Sequence, residues 1–247
     1  MAQMLSLNHL LAVMQPWTDV AVAIHQRLAT LIGPEQGHEV LWVGSGAGRA
    51  VLWWAQRFQL HTLGLDPDPE AVEQAERSAR ASELAALTAF HVGSPADLPF
   101  EAQVFDIVVA DFLHLSGLDN REVVKELGRV ARPMATVAAL VPIWLATPDP
   151  EPARVLVSLG IQPRVLMEWK QWFREAGVVD LVAESAAADG AWLAYGKVGM
   201  LVRAWRVARW AGVRAVFRRE VRTLRTVARR RVLGVSIVKG TRWPHEA

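Results

Sequence analysis

Three groups of residues in this chain have the types and the spacing to do chemistry. The first is Gly44-Ser45-Gly46-Ala47-Gly48, which follows the apolar run Val40-Leu41-Trp42-Val43 and leads at once into a helical pattern over 50–58. Alternate glycines let the backbone turn sharply and come close to a ligand, and the helix behind them offers unpaired N–H groups to a polar or anionic group. The second is Asp66, 20 residues beyond Gly46 at the tip of the next apolar run, 60–65. A carboxylate placed there can accept hydrogen bonds from ribose hydroxyls. The same residue type would also serve as an N-cap for the helix that follows. The third is Asp111 with His114, just past the apolar run 105–110. Histidine is the side chain best suited to accept a proton near neutral pH, and a neighbouring carboxylate can orient it. His114 and Asp111 are therefore the candidate catalytic pair, against the plainer reading that His114 only packs or faces solvent. His9, His25, His38, His61, His91 and His245 form no close pair and no metal-ligand spacing, so no metal is expected. The absence of cysteine excludes disulfides, thiolate zinc sites and a cysteine nucleophile.

The elements that must position these residues follow from periodicity. Helical spacing over 5–14 and 18–31, parted by Pro16, predicts a helical cap ahead of the first strand. Beyond the glycines come a second strand over 60–65, a helix over 70–84 and a third strand over 88–92. A fourth strand over 105–110 is almost wholly apolar and should lie at the centre of a parallel sheet. A helix over 121–130, stopped before Pro133, and a fifth strand over 136–141 complete the alternation. This order predicts an α/β fold with a doubly wound, mostly parallel sheet and a ligand crevice at the carboxyl ends of its strands. The proline-rich stretch 144–162 reads as an excursion over that crevice.

The ordered motifs resemble the class I S-adenosylmethionine-dependent methyltransferases, in the branch that contains quinone-ring and other small-molecule enzymes. They are Val40-Leu41-Trp42-Val43-Gly44-Ser45-Gly46-Ala47-Gly48, Leu63-Gly64-Leu65-Asp66-Pro67, Leu98-Pro99-Phe100 ahead of Phe105-Asp106-Ile107-Val108-Val109, and Leu127-Gly128-Arg129-Val130-Ala131-Arg132-Pro133. The resemblance covers 33–141 and resumes over 169–184. It implies a Rossmann-like seven-stranded sheet, with 233–239 as a last strand added antiparallel at the sheet edge. It implies S-adenosylmethionine as cofactor, cradled by Gly44, Ser45, Gly46 and Gly48. Asp66 would hold the ribose, Leu65 and Leu98 would flank the adenine, and Ser94 or Asp97 would lie near its amino group. Arg49 stands where a dinucleotide fingerprint keeps a small residue, which ranks NAD below S-adenosylmethionine. Two positions depart from the family pattern: Trp42 and Ser94 each stand where it usually has an acid. A fold kept as a binding or scaffolding subunit is therefore the alternative to a methyl transfer enzyme.

The composition adds an asymmetry. The net charge is +2, but 197–231 holds eleven arginines, one lysine and one acid, about +11, which leaves about −9 for the rest. Arg203, Arg206, Arg214, Arg218, Arg222, Arg225 and Arg229 recur at helical spacing, and the segment reads as an amphipathic basic helix. The whole reads as one domain: a cap over 1–33, a sheet core over 34–196, a basic insertion over 197–231, and a last strand and tail over 232–247. The expected partners are a small-molecule acceptor and, through Arg203 to Arg231, an anionic membrane surface or an acidic protein. Nucleic acid is not favoured, because no recognition motif accompanies the arginines. With no secretion signal and no apolar run of roughly 18 residues, the expected location is cytoplasmic, with peripheral membrane contact through the basic helix.

Overall fold

The computed structural model of the chain describes residues 19–115, 117–158, 161–187 and 231–244. The helix expected over 5–14, Trp17 and the basic segment up to Arg230 lie outside them. Strands β1 (Glu39–Val43), β2 (His61–Asp66), β3 (Thr88–Val92), β4 (Phe105–Asp111) and β5 (Ala131–Trp144) alternate with helices α1 (Asp19–Ile32), α2 (Arg49–Phe58), α3 (Pro69–Ala81) and α4 (Asn120–Val130). The chain continues through α5 (Pro150–Ser158), α6 (Leu166–Glu175), β6 (Val178–Ala187) and β7 (Leu233–Arg242). The strands form one sheet in the order β3-β2-β1-β4-β5-β7-β6. β3, β2, β1, β4 and β5 run parallel, and β7 pairs antiparallel with both β5 and β6.

Strand alternation divides the core in two. Leu41, Val43, Val108, Ala110, Val137 and Ala139 face one side, against Val123, Val124 and Leu127 of α4 and Trp169 and Phe173 of α6. Val40, Trp42, Ile107, Val109, Ala138 and Leu140 face the other, against Ile24 and Leu28 of α1, Val51 and Trp54 of α2, and Val72 and Ala75 of α3. Each of the Val, Leu, Ile and Phe side chains among them stabilises the fold by roughly 1.5–3 kcal/mol relative to exposure, so a one-residue slip of β4 would be strongly disfavoured. This is the physical reason that the central strand reads as an unbroken apolar run.

Three expectations are corrected. β7 does not form the sheet edge; it inserts between β5 and β6, and β6 is the edge. β5 begins at Ala131, directly after α4, rather than near 136. Pro133 is accommodated because the β4–β5 register skips from Phe105↔Ala131 to Ile107↔Thr136, so the proline's missing N–H falls at an irregularity. The excursion after β5 contains a helix, α5, with Pro150 at its first position, where a proline N–H is not needed. α3 also ends earlier than the spacing suggests, at Ala81, before Glu83 turns to φ +59°.

Candidate functional site

The glycine loop leaves β1 between its two neighbours, β2 and β4. Gly44 and Ser45 both donate their N–H to the Leu65 carbonyl, at 2.8 and 3.1 Å, and so tie the turn to the end of β2. Gly48 sits at φ +78°, and a β-carbon there would stand 2.7 Å from Ala75 and 2.8 Å from the Phe90 ring. No other residue fits between α3 and β3 at that point. At Gly44 a β-carbon would meet the Asp111 carbonyl oxygen at 3.1 Å, so the loop and the tip of β4 are in direct contact. Gly46 is different: among the described residues its β-carbon position meets nothing within 4 Å. The loop is closed on the protein side and open at Gly46.

Asp66 ends β2 and is 8% exposed. Its carboxylate accepts hydrogen bonds from Gly46 N–H at 2.7 Å and Asp68 N–H at 3.0 Å. Each oxygen keeps acceptor capacity for a ligand hydroxyl. Burial pushes this carboxyl above its ordinary range, while those two N–H groups pull it back. The helix after it has its own cap: Asp68 accepts from Glu70 N–H. Asp66 is thus not the N-cap, which removes the plainer account of it.

Asp111 ends β4 and is 2% exposed. Alternation places it on the side of Ile107 and Val109, the side that α1 covers. Its Oδ1 accepts from Leu113 N–H at 2.9 Å, and its Oδ2 lies 2.7 Å from His114 Nδ1. A carboxylate can only accept, so His114 donates through Nδ1–H, which leaves Nε2 as the ring's acceptor atom. The His114 side chain is 19% exposed, enough to meet a ligand. The sequence pair is therefore a hydrogen-bonded dyad, and His114 is close enough to Asp66 to act on its carboxyl.

The structure adds a residue that spacing did not bring out. His25, on the inner face of α1, is wholly buried between the rings of Trp42 and Trp53, at 5.2 and 6.1 Å. Burial lowers its pKa to about 4; Asp111 opposes that shift and His114 adds to it. His25 therefore belongs to the same electrostatic neighbourhood as the dyad and is neutral at pH 7. The signal was present only in combination: Ile24 and Leu28 fix the buried face of α1, and Asp111 shares strand parity with the residues that face it.

Trp42 is 1% exposed and packs on Trp54 at 5.6 Å as well as on His25. It faces α1 and α2 as a core residue. The leucines expected beside an adenine are also core: Leu65 is fully buried and Leu98 is 3% exposed. Their side chains pack in the core, and of the two only Leu65 meets the glycine loop, through its carbonyl. Ser94 and Asp97 are exposed in the turn after β3, joined by a short bridge. The glycines, Asp66, Asp111 and His114 all lie at the carboxyl ends of parallel strands, where such sheets take their ligands.

A nucleoside with a ribose diol fits this arrangement: an open face at Gly46 and an acceptor pair at Asp66. Comparison with known proteins agrees. A family model described as a methyltransferase domain matches residues 40–134. Ajmaline N-methyltransferase from Rauvolfia serpentina is 31% identical over 101 residues, which is 41% of this chain and 35% of that protein. The chain thus matches about a third of that relative's length. Among solved structures, a Galdieria sulphuraria protein assigned as a sarcosine dimethylglycine methyltransferase superposes with a TM-score of 0.78 at 18% identity, over 94% of this chain and 90% of that one. Phosphoethanolamine N-methyltransferase 2 from Haemonchus contortus, solved with phosphomonomethylethanolamine and S-adenosylhomocysteine, gives 0.76 at 14% identity over 97% and 58%.

Proposed function

We propose that this chain, whose residues 40–134 match a family model described as a methyltransferase domain, transfers a methyl group from S-adenosylmethionine to a hydroxyl of a small, apolar acceptor. The observation that carries this reading is the Asp111–His114 hydrogen bond of 2.7 Å beside the glycine loop. Bound in the crevice, S-adenosylmethionine supplies a methyl group already activated by its sulfonium. Gly44, Ser45, Gly46 and Gly48 would bring backbone against it, and Asp66 would accept from its ribose. A hydroxyl is a poor nucleophile until it loses its proton. His114 Nε2 takes that proton, and Asp111 holds the ring and stabilises the imidazolium that results. α1 and the aromatic cluster of His25, Trp42, Trp53 and Trp54 close the adjoining core against water.

Calorimetric titration with S-adenosylhomocysteine tests the cofactor half. The wild type is expected to bind well below 1 mM ligand, roughly −4 kcal/mol or better. Asp66→Asn is expected to bind about 10–100-fold more weakly, because a hydrogen bond to a charged acceptor is worth roughly 1.5–3 kcal/mol. No heat from the wild type at about 1 mM would leave the scaffolding alternative.

A second reading concerns the basic segment. β6 ends at Ala187 and β7 resumes at Leu233, with Ala187 opposite Gly234 and Trp144 opposite Leu233. Both junctions lie at the carboxyl end of β5, the end that holds the glycine loop and the dyad. That placement supports a role for the arginines of 203–231 in bringing the crevice to an anionic surface, as expected of a cytoplasmic protein that meets a membrane peripherally. Among the described residues no helix is long and apolar enough to cross a membrane. Co-sedimentation is expected with vesicles containing phosphatidylserine and not with phosphatidylcholine alone, and about 0.5 M salt should abolish it. Equal recovery with both vesicle types would remove this reading.

A further inference from the structure

The turn after β3 is anchored in the core by Leu98 and by Phe100 against Phe105 at 5.3 Å, but it has few polar contacts of its own. Its internal bonds are Asp97 N–H to the Ser94 carbonyl at 3.2 Å, Ala96 N–H to Ser94 Oγ at 3.3 Å and Phe100 N–H to the Leu98 carbonyl at 2.8 Å. A single backbone bond, Gly93 N–H to the Asp66 carbonyl at 3.1 Å, joins its start to the site. The remaining anchors come from α4. Glu126 and Arg129, one turn apart on the same helix face, form an ion pair of 2.6 Å. Glu126 Oε2 accepts the Leu98 N–H at 2.8 Å. The Arg129 guanidinium donates through Nη2 to the Leu98 carbonyl at 2.9 Å and through Nη1 to the Phe100 carbonyl at 2.8 Å. Arg129 Nε holds Glu126 Oε1 at 2.7 Å. Both backbone polar groups of Leu98 are thus taken by side chains of a helix on the far side of the turn.

Partly exposed ion pairs add little to stability on their own. This one differs in what it holds. A planar fork with its donors fixed in direction sets the position of two carbonyls at once, and the carboxylate beside it fixes the Leu98 N–H just ahead of them. Each partner strengthens the other: Arg129 holds the Glu126 carboxyl below its ordinary range, and Glu126 raises the guanidinium further. The segment so fixed carries Ser94 and Asp97, both exposed, directly after Gly93, whose N–H reaches the Asp66 carbonyl at the tip of β2.

We infer that Glu126 and Arg129 are positioning residues that hold the turn 94–100 from behind, so that Ser94 and Asp97 meet the nucleobase of the bound nucleoside. This rests on the cofactor reading above. They touch no ligand themselves. Arg129→Met removes the donors while keeping an apolar stem of similar reach. It is expected to weaken S-adenosylhomocysteine binding about tenfold, the loss of roughly one charge-assisted hydrogen bond. Adenosine, measured as a competitor, is expected to lose the same factor. The KM for S-adenosylmethionine should rise by that factor with kcat and the acceptor KM unchanged, and amides 94–100 should exchange faster with solvent. Arg129→Lys keeps the charge without the fork, so it guards against misfolding and should show the same pattern. Unchanged affinity in both variants overturns the inference, as does a loss for S-adenosylhomocysteine that adenosine does not share, or a fall in kcat at constant KM. Wild-type protein that binds no S-adenosylhomocysteine would instead sink the cofactor reading itself.

Discussion

Replacing His114 by Gln is expected to lower kcat by about 10²–10⁴, the usual worth of a positioned general base. The dyad geometry makes the expectation specific. His114 Nδ1 is committed to Asp111 Oδ2, so Nε2 is the basic atom of a side chain that is 19% exposed. Glutamine keeps a polar side chain of similar reach without a basic nitrogen. Asp111→Asn gives a second, independent reading of the same claim. An amide at that position can donate to Nδ1, which would put the proton on Nε2 and remove the base without removing the ring. A loss of about the same order is expected, again in kcat. S-adenosylhomocysteine affinity should stay within a few-fold of wild type in both, since neither side chain is needed to hold the ribose. Turnover is read as S-adenosylhomocysteine release with a panel of phenolic acceptors. If both variants turn over within threefold of wild type, His114 is not a base. If no phenol is a substrate for the wild type, the hydroxyl acceptor falls with it.

The parts of the fold legible in the sequence are those fixed by local pattern. β1, the glycine loop and α2 follow one another without a gap, and glycine at 48 is demanded by Ala75 and Phe90 packed against it. β4 is apolar on both faces because helices cover both. Asp66 stands at the tip of β2 as its spacing suggested, but its bond to the Gly46 N–H, a neighbour across the sheet, was not indicated by that spacing. What was not legible depends on pairings between distant segments. Whether β7 adds outside β6 or inserts beside β5 is decided by backbone registers such as Leu140↔Ile237, which no local spacing records. Leu65 and Leu98 have the character of ligand walls and of core alike; only packing against Leu41, Val108 and Phe105 decides for core.

Trp42 shows the same limit from the other side. As a departure from a family pattern it reads as a missing contact. In the structure its parity sends it toward α1, where His25, Trp54 and Ile24 surround it. A carboxylate in that position would be buried beside aromatic rings, at a cost of several kcal/mol unless paired. The residue at 42 and the residue at 25 are therefore one packing decision, made 17 positions apart. No described residue stands against the glycine loop at Gly46.

That packing decision has a cost in acid, and the second large effect follows from it. Folding stability is expected to fall by roughly 3 kcal/mol as the pH drops from 6.5 to 4, because unfolding lets His25 bind a proton that the native state refuses. The sign is fixed by the direction of the shift. His25 has its folded pKa lowered from 6.5 to about 4 by burial. Between those values the unfolded chain binds more protons than the folded one, so stability rises with pH across that window and is lost as pH falls through it. About 2 kcal/mol of the loss should be complete by pH 5. Other shifted groups act elsewhere. Asp106, Glu126 and Glu184, whose carboxyls are held low, lose their contributions only below the ordinary carboxylate range. Asp66, whose carboxyl is raised, works in the opposite sense just above that range. The interval from pH 6.5 down to 5 is therefore governed by His25 among these groups. His25→Gln removes the titration and keeps a neutral polar side chain between Trp42 and Trp53. Urea unfolding at pH 7, 6 and 5 should show the wild type losing stability steadily at constant slope, while the variant stays within about 0.5 kcal/mol. Equal pH dependence in the two proteins would show that the proton enters elsewhere, and that α1 does not seal the histidine beside the dyad.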